Sequence, residues 1–315
     1  MRILITGVAG FIGSNLAQSL LDAGNSVVGV DNLLTGSSIN IEILKANNNF
    51  TYIQDDVVTM DMERITGTFD IIFHLASPAS PVQYKKFPLE TLMVNSIGTK
   101  HVLDFMKKSG SKIFVISSTS EVYGDPLEHP QTESYWGNVN PVGVRSCYDE
   151  GKRFAESLVM TYYRTHKLDV RIARIFNTYG PNMEQNDGRV VSNFIMQSLQ
   201  GQPVTIYSNG KQTRSFCYVS DMVQGLTSLG VTPNIAGEII NIGNPNEMNM
   251  IDLANKIIAL TGSSSKIVFN AIDGDDPQKR KPDISKAKKL LGWKPQVTLD
   301  DGLQKTITYF KERFL

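Results

Sequence analysis

Arg2-Ile-Leu-Ile-Thr-Gly7-Val-Ala-Gly10-Phe-Ile-Gly13-Ser-Asn-Leu16 is the stretch that decides the fold. It opens as an unbroken apolar run, the pattern of a central parallel strand covered on both faces. Three glycines spaced three apart follow, and helical spacing then begins near Phe11. Glycine at these positions permits a tight turn, close approach of the backbone to an anion, and close packing of helix on strand. The helix start directs free N–H groups and the positive end of its dipole at the same point. The stretch therefore predicts a pyrophosphate cradle made by Gly7, Gly10, Phe11, Ile12 and Gly13.

Further along the chain, apolar runs at Ser26–Val30, Phe50–Gln54, Asp70–Leu75, Lys112–Ser117 and Asp169–Ala173 alternate with helical patterns. That alternation predicts an α/β fold, a Rossmann-type doubly wound parallel sheet with a smaller α/β substrate-binding domain. Phe154, Leu158 and Tyr162, beside Ala155 and Val159, read as a helical stripe packed in the core. After Gly180-Pro181 the segments shorten and Gly, Asn, Asp and Ser punctuate them, as in Asp273-Gly-Asp-Asp276. The expected division is a dinucleotide domain over 1–176, with a return segment near 215–242, and a mainly substrate-binding domain over 177–315.

Asp31 ends the second predicted strand, 18 residues after Gly13. An acidic side chain there accepts from the adenosine ribose hydroxyls. No Lys or Arg occurs from Asp31 through Leu44 to neutralise a 2′-phosphate, so the cofactor expected is NAD rather than NADP. Asp56, after the third strand, is placed to accept from the adenine amino group. Asn32, Thr35, Gly36 and Val57 are assigned to the same site, and Leu75, Ala76 and Ser77 close the fourth strand against the cofactor. Tyr148 and Lys152 are four apart and share a helix face. A tyrosine beside an ammonium is read as a phenol whose ionised form is favoured, hence a general base, with Thr119 ending the fifth strand and donating to the same substrate oxygen.

The chain has 315 residues, 41% hydrophobic and 20% charged, with 31 basic and 31 acidic side chains, so no bulk field favours nucleic acid or an anionic membrane. The local run Lys279-Arg280-Lys281 is instead suited to an anionic substrate. Cys147 and Cys217 lack metal-like spacing and read as reduced thiols. The four histidines form no constellation, His74 reading as a hydrogen-bonded core residue, and no metal is expected. The first predicted strand begins at Arg2 and no apolar run is long enough for a bilayer, so the expectation is a soluble, cytoplasmic protein.

The glycine spacing is the variant of short-chain dehydrogenases, and longer matches narrow the resemblance. ILITGVAGFIGSNL, HLASPASP, STSEVYGDP, CYDEGKR, RIFNTYGP, DGRVVSNFI and DDPQKRKPDISKAKKLLGW cover much of the chain. In these it resembles the extended short-chain dehydrogenase/reductases, and among them the UDP-glucuronate decarboxylase family. Related 4,6-dehydratases carry an Asp-Glu pair after the catalytic Thr, where this chain has Ser120-Glu121. The resemblance implies UDP-glucuronate as substrate. It assigns catalytic roles to Tyr148, Lys152, Thr119, Glu121 and Arg280. Glu121 is to position the sugar or serve a water at C5, and Arg280 to contact the diphosphate or the sugar end. Asn177, Arg189, Gln212 and Arg214 become substrate contacts. The same resemblance implies a homodimer built on helices near 88–109 and 149–166. Two alternatives stay open: a UDP-glucuronate 4-epimerase, and a non-catalytic NAD-binding sensor.

Overall fold

The apolar runs become strands in the computed structural model, which describes residues 1–271 and 279–315. They are β1 (Arg2–Thr6), β2 (Ser26–Asp31), β3 (Phe50–Gln54), β4 (Ile71–His74), β5 (Ile113–Thr119), β6 (Asp169–Ile175) and β7 (Ile239–Ile242). All pair in parallel in one seven-stranded sheet of order β7-β6-β5-β4-β1-β2-β3. Ile3, Leu4, Ile5, Ile72, Phe73, Phe114 and Val115 have no accessible surface, because helices cover both faces. Each such side chain contributes about 1.5–3 kcal/mol of apolar burial.

Strand ends matter here, because ligands of open α/β sheets sit beyond the carboxyl edge where the strand order reverses. In this sheet the reversal lies between β1 and β4. β2 runs one residue further than expected, to Asp31, and β5 two further, to Thr119, so both side chains stand on that edge. Helix α1 (Phe11–Asp22) follows β1, and α2 (Ser146–His166) precedes β6. Buried Tyr148, Lys152, Ala155, Val159 and Tyr162 define the packed face of α2. Phe154, expected in the core, is 52% exposed instead, and Leu158 is half-buried. Helix α3 (Val219–Val231) leads back to β7 on the outer edge of the large sheet.

Beyond β6 the chain builds smaller sheets over the carboxyl edge. Thr213–Ser215 lies between Glu247–Asn249, antiparallel to it, and Lys279–Arg280, parallel to it. Val204–Tyr207 pairs with Ile267–Asn270 beside the helices Val190–Leu199 and Met250–Thr261. Asp276, Pro277 and Gln278 of the basic motif, and the turn at Asp273-Gly-Asp-Asp276, lie outside the described residues. Among the described residues no helix is long and apolar enough to cross a membrane.

Candidate active site

Two adjoining cavities, of about 630 and 310 Å³, open at the sheet reversal. Gly7 and Gly10 line both, while Phe11, Ile12 and Gly13 line the larger. Gly7 has φ +76°, and a Cβ there would meet the Ala76 backbone nitrogen at 2.6 Å. A Cβ on Gly13 would lie 2.1 Å from the Gly7 carbonyl oxygen, so neither position tolerates a side chain. No side chain caps α1 and its first turn holds no acid, which leaves its positive end for an external anion.

The smaller cavity is lined by Asp31, Asn32, Thr35, Gly36, Asp56, Val57, Leu75, Ala76 and Ser77. Asp31 Oδ2 accepts from Ala9 N–H at 2.9 Å and Oδ1 from Leu33 N–H at 2.8 Å. Each oxygen retains a lone pair for a ribose hydroxyl. Burial raises the Asp31 pKa against those two hydrogen bonds. Asp56 caps a turn, with Oδ1 accepting from Val58 N–H at 2.8 Å and Oδ2 from the Asn32 amide at 3.0 Å. The lining residues include four carboxylates (Asp31, Asp55, Asp56 and Glu90) and no lysine or arginine. A dinucleotide fits this glycine cradle and acidic wall, whereas a 2′-phosphate would be repelled.

Thr119, Tyr148 and Lys152 face the larger cavity. Lys152 Nζ donates to the Ser117 carbonyl at 2.8 Å and lies 5.9 Å from the centre of the Tyr148 ring. Burial lowers the Lys152 pKa to about 7, opposed by Glu156 one turn later. Burial likewise raises the Tyr148 phenol to about 12, with a hydrogen bond from Thr119 pulling down and Glu121 adding to the rise. This corrects the expectation of a favoured phenolate: without a ligand, desolvation outweighs any help from Lys152, and the phenol holds its proton at neutral pH. Tyr84 stacks on the Tyr148 ring at 5.0 Å between centroids, with planes 5° apart.

At the other end, Glu121 stands between two guanidinium groups, its Oε1 bound by Arg280 and its Oε2 by Arg145. Burial pushes its pKa up, but Arg280 and Arg145 outweigh that, helped by Arg214, and hold the carboxyl at about 2. Arg280 is 2% exposed and also donates to the Gly124 carbonyl at 3.3 Å. Its Nε is buried without a partner among the described residues, as is Gln212 Oε1. Such atoms suit a bound polar ligand, since an unpaired buried donor or acceptor is costly. Asn177, Arg189, Gln212 and Arg214 line the same cavity, Arg189 pairing with Asp187 at 3.2 Å.

Three residues of this region escape sequence reasoning: Tyr84 and Arg145, which belong to no quoted motif, and Asp149, which lies within CYDEGKR but carries no assigned role there. Asp149 lies 4.0 Å from Arg145 Nε, and burial, then Glu121, raise its carboxyl to about 7. Arg145 leaves one usable signal. It is the N-cap of α2, where a cation opposes the helix dipole, so its position calls for carboxylate partners. His74 is a core residue: its ring nitrogens meet Thr6 Oγ1 at 2.7 Å and Thr99 Oγ1 at 3.1 Å.

A Rossmann sheet with Thr at its carboxyl edge, Tyr and Lys on the helix facing it, a glycine cradle and an acidic strand end defines an extended short-chain dehydrogenase/reductase. Residues 4–306 match the family model described as GDP-mannose 4,6 dehydratase. UDP-glucuronic acid decarboxylase 1 of Arabidopsis thaliana is 50% identical over 315 residues, covering 100% of this chain and 71% of the relative. UDP-glucuronic acid decarboxylase 3 of the same plant is 54% identical over 304 residues, 96% of this chain and 87% of the relative. Among solved structures, the UDP-glucuronic acid 4-epimerase of Bacillus cereus with UDP-glucuronic acid and NAD superposes with TM-score 0.90 at 31% identity, covering 100% of both chains. The chain thus belongs to the family of that model and, within it, to the UDP-glucuronic acid decarboxylases.

Proposed function

We propose that the protein converts UDP-glucuronate into UDP-xylose and carbon dioxide, with NAD as a recycled cofactor. The observation that carries this reading is one cavity holding both Thr119, Tyr148 and Lys152 and a Glu121 pinned by Arg280. The dehydratase acid is missing, because Ser120 stands where a second carboxyl would be needed. When bound, NAD supplies the acceptor for the C4 hydride, its later return, and a positive ring charge.

Tyr148 takes the C4 hydroxyl proton while Thr119 donates to the same oxygen. The ketone so formed lies β to the C6 carboxylate. The C5–C6 bond breaks, carbon dioxide leaves, and the electron pair delocalises from C5 onto the C4 oxygen. Donation from Tyr148 and Thr119 stabilises that enolate. A carboxyl held at about 2 has no proton to give at neutral pH, so Glu121 orients a water that protonates C5, and the water is replenished from solvent. Tyr148 then returns its proton to the C4 oxygen, and the net reaction consumes one proton. Asn177, Arg189, Gln212 and Arg214 hold the uridine diphosphate. In this reading residues 1–176 with 215–242 bind NAD, and the rest of 177–315 mainly binds the nucleotide sugar.

The test is proton NMR of purified protein mixed with UDP-glucuronate, with and without added NAD. UDP-xylose without lasting NADH is the expected product; UDP-galacturonate with every carbon retained would move the assignment to a 4-epimerase. Failure to form any product despite measured NAD binding would favour a sensor.

A cytoplasmic homodimer is part of the same reading. Both cysteines are free, as a reducing compartment maintains them. Leu89, Met93 and Ile97 on the 88–98 segment and Phe154 on α2 are all more than 40% exposed, an apolar surface suited to a second copy. Light scattering after size exclusion should give twice the chain mass, and a monomer at working concentration removes the dimer.

A further inference from the structure

Glu121 and Arg280 come from segments far apart in the chain, and neither sits on a regular α-helix or a strand of the large sheet. Glu121 lies in the 3-10 turn Ser120–Tyr123 after β5, and Arg280 ends a two-residue strand. One buried amide ties these segments together. Asn241 in β7 has no accessible surface, and its Oδ1 accepts from the Tyr123 hydroxyl at 2.8 Å. Its Nδ2 donates to the Gln131 carbonyl at 3.0 Å and the Asp283 carbonyl at 3.2 Å. Tyr123 is two residues from Glu121, and Asp283 three from Arg280. Arg174 Nη1 donates to the Tyr123 hydroxyl at 3.0 Å, and its Nη2 pairs with Glu156 at 2.7 Å.

Gln131 completes the tie from the other side. Its N–H donates to the Lys281 carbonyl at 2.9 Å, and its Oε1 accepts from the Lys281 N–H at 2.8 Å. Its carbonyl also accepts from the Asp283 N–H at 2.8 Å. The chain leaving Arg280 is thus held on successive peptides, while Tyr123, Gln131 and Asn241 are all absent from the cavity lining.

We infer that Asn241 is a positioning residue that sets the Glu121–Arg280 pair against the substrate and governs the steps that follow C4 oxidation. The inference rests on the proposed decarboxylase reading for what those steps are. Asn241 uses its one oxygen and both amide hydrogens, so no other side chain of its shape satisfies all three partners. Asn241's own hydrogen bonds reach none of Thr119, Tyr148 and Lys152, so oxidation should outlive its loss.

The test compares the wild-type protein with Asn241→Asp and Tyr123→Phe. Asn241→Asp keeps the shape and the acceptor for Tyr123 but sets a carboxylate against two carbonyls. Turnover to product should fall about a hundredfold, the size of effect expected of misplaced catalytic groups. NAD affinity should be retained, and NADH should build up during turnover. Tyr123→Phe keeps the ring and loses only the hydroxyl; the same signature is expected at about tenfold. Should Asn241→Asp fail to fold, Tyr123→Phe decides. Unchanged kcat and no NADH build-up overturns the inference. So does an equal loss of oxidation and product formation that tracks the folded fraction. The partition between NADH and final product is read whatever the product is, so UDP-galacturonate from the wild type would overturn the decarboxylase reading while the partition still judges Asn241.

Discussion

The two ends of the larger cavity treat buried charge in opposite ways. At the Tyr148 end burial dominates, raising the phenol to about 12 and lowering the ammonium of Lys152 to about 7. At the Glu121 end burial again opposes the charge, yet Arg280 and Arg145 overcome it and keep a carboxylate charged down to about 2. The difference teaches which half is organised in advance. The glutamate and its arginines are charged and mutually bonded before any ligand arrives. The tyrosine and lysine rest in their less charged forms, and a cationic cofactor ring is what favours the phenolate.

Removing the phenol gives the largest expected effect and isolates the first end. Tyr148→Phe should cut turnover by between about a hundredfold and ten-thousandfold, the range for a lost general acid–base. NAD binding measured by calorimetry should persist, since the glycine cradle lies between β1 and the start of α1 and Asp31 at the end of β2. Stability should fall only by the hydrogen bond lost to Thr119, about 0.5–1.5 kcal/mol, because the charged phenolate is not populated at neutral pH. Near-normal turnover would remove the phenol from the chemistry and erase the contrast.

Glu121→Gln breaks the second end. It leaves Arg145 and Arg280 without their shared carboxylate, and removing one partner of a buried ion pair costs about 3–5 kcal/mol. An amide oxygen still accepts one hydrogen bond, so the lower end of that range is expected, measured by denaturant unfolding. C4 oxidation should continue in this variant while UDP-xylose formation lags behind NADH. A variant as stable as the wild type would mean that the arginines do not depend on this carboxylate.

The first end was far more legible in the sequence than the second, for a physical reason. Gly7, Gly10, Gly13 and Asp31 lie within one βαβ unit, so their spacing alone places them at one edge of the sheet, with Gly7, Gly10 and Asp31 on one cavity wall. Tyr148 and Lys152 are a helix turn apart, which fixes their common face but not their desolvation, so the expected phenolate was wrong for the ligand-free protein. Glu121 and Arg280 are 159 residues apart, and resemblance rather than periodicity brought them into one list of candidates. Tyr84 sits in the six-residue helix Pro81–Lys86, too short for a repeating pattern, and Arg145 at the cap of α2, outside its periodic face. Phe154 shows the limit of periodicity itself. The buried face of α2 advances by alternating fours and threes, 148, 152, 155, 159 and 162, as a period of 3.6 demands. A stripe stepping strictly by four, from Phe154 to Leu158 to Tyr162, drifts across that face and begins in solvent.

The smallest expected effect sharpens the comparison from the stability side. Lys152 is 3% exposed, and its folded pKa of about 7 lies below the ordinary lysine value of 10.5. The folded chain therefore binds this proton less tightly than the unfolded chain does. Its contribution to stability rises with pH between about 7 and 10.5, and the cost of burying the charge is felt in full below 7. Lys152→Met removes that cost, several kcal/mol for a buried ion, but also removes a charge-assisted hydrogen bond to Ser117 worth about 1.5–3 kcal/mol. The balance is a gain of about 1 kcal/mol, which for a chain of this size raises Tm by roughly 1–2 °C. The gain should be greatest below pH 7 and shrink as pH approaches 10.5, while activity falls with the loss of the ammonium. Calorimetric scans of the NAD-free protein across that range check it. A variant destabilised equally at every pH would show that Lys152 is held by its hydrogen bond to Ser117 more than it is penalised by burial, and the two ends of the cavity would then differ less than their pKa values imply.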